Sequence, residues 1–130
     1  MATCVKAKFF VCERCGNMID VIMDSKVPMV CCGEKMTEIS ANTTDAAQEK
    51  HVPVVTINGN KVHVEVGSVI HPMIEEHHIA WIYLETEKGV QRACLPVTGE
   101  PKADFLVAEG DKAIAVYEFC NLHGVWVAKL

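Results

Sequence analysis

The sequence lacks the features that would tie this protein to a membrane or to nucleic acid. No apolar run approaches the roughly 18 residues that a membrane-spanning helix needs, and the start MATCVKAKFF lacks the long apolar segment of a signal peptide. The net charge is −5, and no basic stripe is present that could neutralise phosphates. We therefore expect a soluble cytoplasmic protein that binds neither membranes nor nucleic acid.

A helical period of useful length is also missing, and the apolar residues follow strand patterns instead. Residues 61–66 alternate valines with polar side chains after an Asn58-Gly59 turn. Further β-rich runs follow at the spacing of a sandwich, at residues 79–86, 90–95, 105–107, 113–119 and 125–128. The sequence predicts an all-β fold in which residues 50–130 form an antiparallel β-sandwich, and the number of strands suggests an immunoglobulin-like topology.

Seven cysteines, an odd number, fit a disulfide framework poorly. Cys12 and Cys15 form a Cys-x-x-Cys pair and Cys31 and Cys32 are adjacent, which favours a metal site in a reducing compartment. Four thiolates leave no coordination position open, and on ligand softness they suit iron and zinc equally. We predict a small metal-stapled domain over residues 1–37, because so short a segment rarely folds without such bonds. A polar linker and loop is predicted at residues 38–49.

A second set of possible metal ligands lies in the remainder of the chain. It comprises four imidazoles and one thiolate: His51, His71, His77, Cys120 and His123. Five such ligands would leave one position open on an octahedral metal, where a small molecule could bind. Only one of His77 and His78 can face the metal if they lie on a strand, because neighbouring side chains point to opposite faces, and spacing alone does not choose between them. His63, on the polar face of its hairpin, is predicted not to bind metal.

Five motifs in this order resemble a known family. They are CxxC…CC, TTDAAQEKHVPV, VGSVIHPM, His77 and CNLHGVW, and together they are similar to desulfoferrodoxin, the two-iron form of superoxide reductase. The similarity covers nearly the whole chain. It implies a desulforedoxin- or rubredoxin-like N-terminal domain followed by a neelaredoxin-like, immunoglobulin-like β-sandwich.

The resemblance also implies the roles of individual residues. Two irons per chain are expected, one held by Cys12, Cys15, Cys31 and Cys32, and one held by four equatorial histidines with Cys120 as the axial ligand. The equatorial set is His51, His71, His77 and His123, so the family register selects His77 over His78. Lys50 would guide superoxide towards the catalytic iron, and Glu49 would approach that iron after peroxide has left. Cys4 and Cys94 match no family ligand.

The activity implied is the one-electron reduction of superoxide to hydrogen peroxide at ferrous iron. Rubredoxin or a similar small carrier would supply the electron, and a homodimer is expected. Two rivals are a superoxide dismutase and a protein without catalysis, either an electron carrier or a zinc-stabilised binding module. Five ligands with a thiolate among them argue against the second rival, because structural zinc usually takes four.

Overall fold

The computed structural model describes residues 1–42 and 48–130, and for Gln48 and Glu49 it describes the backbone alone. The chain divides into two compact units, Met1–Ser40 and Ala41–Leu130. Within the described residues, no helix has both the length and the apolar character that crossing a membrane requires.

The first unit consists of short strands joined by tight turns. The seven strands are β1 (Thr3–Cys4), β2 (Phe9–Val11), β3 (Met18–Asp20), β4 (Met23–Asp24), β5 (Val30–Cys31), β6 (Glu34–Lys35) and β7 (Thr37–Ile39). β2 lies between β3 and β7, while β1 pairs with β4 and β5 with β6. The buried apolar side chains of this unit are Phe9, Cys12 and Val21. So small a core contributes little hydrophobic free energy, in keeping with a unit that depends on a bound metal.

The boundary between the units lies within the segment predicted to be a linker. β7 extends two residues past position 37, because Ile39 pairs with Phe9 of β2 and is half-buried there. Asn42 already belongs to the second unit, where its backbone accepts a hydrogen bond from Val127 N–H at 3.1 Å. Residues 43–47 of the predicted linker lie outside the described part of the chain.

The second unit contains two antiparallel sheets, as predicted. After a short helix α1 (Gln48–His51) come β8 (Pro53–Asn58), β9 (Lys61–Val66), β10 (Ile79–Thr86), β11 (Val90–Cys94), β12 (Lys102–Leu106), β13 (Ala113–Cys120) and β14 (Gly124–Lys129). One sheet has the order β11-β10-β13-β14 and the other the order β12-β9-β8. This arrangement of four strands on three confirms the all-β fold, with a small metal domain followed by a β-sandwich.

Alternation along the strands builds the core between these sheets. Val62, Val64 and Val66 of β9 are fully buried and pack in one cluster with Ile82 and Leu84 of β10. The intervening residues of β9 point to the other face, where they are exposed or half-buried. A period of two therefore assigns each residue to a face, as the sequence pattern predicted.

On that outer face, His63 lies between two carboxylates. Its Nδ1 is 2.6 Å from Asp104 Oδ1 on the neighbouring strand β12, and its Nε2 is 3.1 Å from Glu65 Oε1. These hydrogen bonds, Asp104 first, raise the pKa of His63 above 6.5, and they lower the pKa of each carboxyl group. Lys61 and Lys102 also pair with the carboxylates, at 3.8 Å and 3.5 Å. The predicted absence of His63 from a metal site agrees with these contacts.

We predict that the His63 contacts stabilise the protein in a limited pH window. Because the folded pKa of His63 is raised, its contribution is complete below the unfolded value of 6.5 and is lost as pH rises through the folded value. The carboxylates contribute above their unfolded values of 3.8 and 4.5. The His63→Ala variant should therefore be less stable than the wild type in denaturant unfolding at about pH 6, and this difference should shrink at about pH 8.5.

The Thr56→Ala variant is the matched control, because Thr56 pairs with His63 on β8 and does not titrate. Its effect on the free energy of unfolding should be the same at both pH values. A His63→Ala effect that is equally large at both would show that the charged contacts are not the cause.

Candidate metal centres

The four predicted cysteines of the first unit come together. The sulfur atoms of Cys12, Cys15, Cys31 and Cys32 all lie within 4.8 Å of one another. Cys12 and Cys15 lie on the turn that follows β2, where Gly16 N–H donates to the Cys12 carbonyl at 2.8 Å and Gly16 takes a φ of +83°. A single tight turn thus presents two thiols to one point.

The adjacent pair reaches the same point through an unusual backbone conformation. Cys32 has a φ of +53° and Gly33 follows with +75°, so two consecutive residues lie in the left-handed region. Glycine adopts this region freely, whereas for a residue with a Cβ this backbone conformation is less favourable by about 1–2 kcal/mol of conformational free energy. The strain at Cys32 lets neighbouring side chains, which would diverge on a strand, face one site.

The pKa values of Cys12 and Cys32 indicate that this cluster suits a cation. Hydrogen bonds from the backbone N–H groups of Cys15 and Arg14 lower the pKa of Cys12 to about 7. Hydrogen bonding to Cys15, Cys12 and Cys31 raises the pKa of Cys32 to about 12, because crowded sulfurs cannot all be anionic. A metal cation would offset that repulsion, so the four-sulfur donor set fits tetrahedral iron or zinc.

The second predicted set converges at one end of the β-sandwich. His51, His71, His77 and Cys120 place one donor atom each within 4.8 Å of the others. His123 joins them, with Nδ1 at 3.0 Å from His51 Nε2 and 3.7 Å from Cys120 Sγ. All five predicted residues therefore meet at one place.

Strand ends explain this convergence. His51 precedes β8, His71 and His77 lie on the connection from β9 to β10, and Cys120 ends β13. His123 lies on the turn into β14, and Cys120 pairs with both Ile79 of β10 and Gly124 of β14. The antiparallel register thus brings segments that are distant in sequence to the same edge.

Burial favours the neutral form of two imidazoles of this cluster, those of His71 and His77. His51 and His71 are each 1 % exposed, and desolvation lowers the pKa of His71 to about 4. Desolvation likewise lowers the pKa of His77, with smaller contributions from the charges of His123, His51 and Lys50. Burial raises the pKa of the Cys120 thiol, while the backbone N–H groups of Leu122 and His123 act in the opposite direction. Neutral rings leave lone pairs available for a metal.

Two observations test whether a metal fits. His77 Nε2 is buried and has no hydrogen-bond partner among the described residues, which is costly unless another group satisfies it. His51 Nε2 lies 3.3 Å from His71 Nε2 and 3.0 Å from His123 Nδ1. Two nitrogens bound at right angles through bonds of ~2.1 Å would lie about 3 Å apart. The donor set of four imidazoles and one thiolate fits iron.

Sequence reasoning missed the residues that orient these ligands. His71 Nδ1 lies 2.8 Å from the Pro72 carbonyl, which leaves its Nε2 facing the cluster. The buried Trp126 ring stacks on His51 with centroids 4.8 Å apart, and its Nε1–H donates to the His123 carbonyl at 3.1 Å. The tryptophan is part of the CNLHGVW motif, three residues after His123, and that short spacing was the available signal.

Glu118 was missed as well. It is fully buried, two residues before Cys120 on β13, and neither carboxyl oxygen has a partner among the described residues. Desolvation raises its pKa to about 9, so the group is protonated at neutral pH. A charged residue type at an inward position of a predicted strand was the signal in the sequence.

The remaining candidates lie outside both clusters or are partly described. His78 Nδ1 faces the carbonyls of Ile74 and Glu75 at 3.1 Å and 3.0 Å, and Cys4 and Cys94 are exposed thiols. Lys50 is exposed, and its charge acts on the His77 ring. The side chain of Glu49 lies outside the described part of the chain.

Comparison with known proteins agrees with this geometry. Residues 43–129 match the family model of desulfoferrodoxin. A desulfoferrodoxin homolog of Archaeoglobus fulgidus is 44 % identical over 115 residues, which is 88 % of this chain and 90 % of the relative. The chain belongs to the desulfoferrodoxin family. Its four-cysteine cluster and its cluster of histidines with Cys120 match the two iron sites of desulfoferrodoxin.

Two further relatives of this family carry a functional name. A superoxide reductase of Pyrococcus abyssi is 37 % identical over 109 residues, covering 70 % of this chain and 94 % of the relative. The crystal structure of the superoxide reductase from Treponema pallidum matches with a TM-score of 0.80 and 40 % identity, covering 94 % of this chain and 96 % of that one.

We predict that a bound metal at each centre protects five of the seven thiols. With both centres loaded, a thiol reagent should rapidly modify the two exposed cysteines outside the clusters, Cys4 and Cys94. After chelation and denaturation all seven should react, as counted by mass spectrometry. The double variant Cys4→Ser, Cys94→Ser is the control and should show no rapid modification. Fast reaction of more than two thiols in the loaded wild type would contradict the assignment.

Proposed function

We propose that this protein is a superoxide reductase that converts superoxide to hydrogen peroxide. The observation that carries this proposal is the convergence of four imidazoles and one buried thiol on one point, with His77 Nε2 left without a hydrogen-bond partner among the described residues. The same name is borne by the relatives from Pyrococcus abyssi and Treponema pallidum, and the second of these aligns over nearly the whole chain.

The two centres have different roles in this proposal. The second centre holds the catalytic iron through the four histidines and Cys120. The first centre holds iron through its four cysteines, and because four thiolates complete a tetrahedral site, it can stabilise the small first unit or carry electrons but cannot bind superoxide.

The reaction joins one superoxide, one electron and two protons to give one hydrogen peroxide. Ferrous iron, when bound at the second centre, supplies the electron and an open coordination position for the anion. Cys120 would donate electron density to that iron, and the N–H groups of Leu122 and His123, which hydrogen-bond to its sulfur, would moderate the charge there.

Lys50 supplies the electrostatic guidance that the negatively charged chain otherwise lacks. Its side chain is exposed, and its charge lowers the pKa of His77, so its field extends to the second centre. An ammonium group at this position attracts a small anion, and water beside it supplies the protons. We assign Glu49, the preceding residue, to approach the metal after the product leaves.

The partners and setting that we propose follow from the same chemistry. Rubredoxin or a similar small electron carrier restores the ferrous state. A homodimer is supported by large apolar side chains exposed on the first unit, among them Ile22, Met23, Val27 and Val30. A cytoplasmic location is supported by seven free cysteines, because such thiols persist in a reducing compartment.

The stoichiometry of the reaction tests the proposed function. Rapid mixing of the reduced, iron-loaded protein with superoxide should give one hydrogen peroxide per superoxide and no dioxygen. Loss of a residue that only supports a metal ligand typically lowers activity by roughly 10- to 100-fold. The Cys120→Ser variant removes a ligand itself, so its activity should fall by more than this. Dioxygen released together with peroxide would identify a dismutase. Zinc at both centres of the protein as isolated would contradict a redox function.

Replacing Lys50 tests the guidance of the anion. The Lys50→Ile variant should reduce the second-order rate constant with superoxide by a few-fold to about 10-fold at low salt, and the dependence of that rate on ionic strength should flatten.

The control is Lys112→Ile, which makes the same change in net charge. Lys112 immediately precedes β13, whereas Cys120 ends this eight-residue strand, so the control lies about 25 Å from the centre. Its rate constant should stay near that of the wild type. Equal effects of the two variants would assign the guidance to net charge rather than to Lys50.

A further inference from the structure

Among the histidines of the second centre, His77 lies on a segment with little regular structure. Residues 67–78 connect β9 to β10. Within this connection, the backbones of His77 and Ile74 form two reciprocal hydrogen bonds, each 3.1 Å long. A loop of this length is ordinarily mobile. A metal ligand on it needs further contacts to hold its ring in a productive direction.

Asn121, the residue after Cys120, provides such contacts on both sides of His77. Its Oδ1 accepts a hydrogen bond from the backbone N–H of His78 at 2.8 Å. Its Nδ2 donates to the carbonyl of Glu76 at 3.0 Å. In addition, Asn121 N–H donates to the His78 carbonyl at 3.2 Å. One amide side chain therefore binds the peptide group before His77 and the peptide group after it.

The side chain of His78 holds the same segment from within. Its Nδ1 lies 3.1 Å from the Ile74 carbonyl and 3.0 Å from the Glu75 carbonyl. A ring N–H shared between two carbonyls closes the turn that precedes His77. Together with the Ile74–His77 backbone pair, these contacts leave the His77 backbone little freedom.

We propose that Asn121 and His78 are a positioning pair that fixes the direction of the His77 imidazole and ties it to the loop that carries Cys120. The proposal rests on the proposed function only in taking His77 as a metal ligand. Neither residue belongs to the cluster of donor atoms itself. Because Asn121 is adjacent in sequence to Cys120, the pair sets the separation between the thiolate and the His77 ring before any metal binds.

This preorganisation explains why His77 Nε2 stays buried without a hydrogen-bond partner among the described residues, which is unfavourable in free energy. A buried nitrogen without a partner would normally turn towards a hydrogen-bond acceptor or towards water. Here the flanking peptides are held by Asn121, so the ring stays directed into the cluster. The amide is a suitable side chain for this role, because it carries a donor and an acceptor in one rigid plane.

A double-mutant cycle on Co²⁺ binding tests the pair without using enzymatic activity. All variants carry Trp81→Phe, which leaves Trp126 as the remaining tryptophan of the chain's two. Trp126 stacks on His51, so quenching of its fluorescence by Co²⁺ reports occupancy of the second centre. The Trp81→Phe protein is the parent. We compare the effect of Asn121→Ala in this parent with its effect in the parent that also carries His77→Ala.

In the parent, Asn121→Ala should weaken Co²⁺ binding by about 10- to 100-fold, as expected for loss of an outer-shell partner. In the His77→Ala background the same substitution should change binding less than about 2-fold, because the ring that it positions is gone. His78→Phe keeps a ring but removes the shared N–H, so it should weaken binding in the parent and not in the His77→Ala background. It also serves as the test should Asn121→Ala fail to fold.

Gln91→Ala is the matched control, because Gln91 Nε2 likewise donates to a backbone carbonyl, that of Leu106, at 2.7 Å. It should leave Co²⁺ binding unchanged. The proposal is overturned if Asn121→Ala and His78→Phe bind Co²⁺ as tightly as the parent, if their losses are equally large without His77, or if His77→Ala alone has no effect. A protein that completes this cycle as expected yet fails to reduce superoxide would refute the proposed function and leave the positioning pair intact.

Discussion

The register of β13 is the constraint on which the second centre depends. Cys120 ends this strand and pairs with Ile79 on one side and with Gly124 on the other. That pairing brings the loop before β10 and the turn before β14 beside a single thiol. Because side chains alternate, a slip of one residue would turn Cys120 away from the core and would separate it from the imidazoles. Hydrogen bonds of the sheet therefore define the coordination site.

The same rigid edge accounts for an accumulation of buried polar groups that would be unfavourable elsewhere. His51, His71 and Glu118 are fully buried near a buried thiol. Desolvation lowers the pKa of His71 and raises the pKa of Glu118, so both of these groups are neutral. Burial without full hydrogen bonding has a free-energy cost. A metal ion that binds the nitrogens and the sulfur would repay much of it, so the stability of this end of the sandwich and its capacity for chemistry have one origin.

Comparison of the two centres shows how little the local sequence says about geometry. The first centre uses turns: Cys12 and Cys15 share one, and the left-handed Cys32 lets an adjacent pair face one point. Adjacent cysteines indicated a metal site but not how the backbone would accommodate both. The ligands of the second centre span residues 51–123, and their grouping was predicted through a family resemblance, because isolated histidines carry no such information.

The amino-acid sequence by itself determined the all-β class, the alternation that buries Val62, Val64 and Val66, and the four cysteines of the first centre. The five residues of the second centre stood out as possible ligands, and the family resemblance grouped them and chose His77 over His78. Periodicity and motif spacing are local properties, so they can be read without coordinates. Only the tertiary structure decided how the ligands are oriented: Trp126 on His51, the Pro72 carbonyl at His71, and Asn121 with His78 around His77. The contacts of Trp126 with His51 and of Asn121 with His78 join segments that are distant in sequence, and nothing in the local pattern of either partner specifies the other. The Pro72 carbonyl is next to His71 in sequence, but the residue types do not specify the ring direction that brings Nδ1 to it.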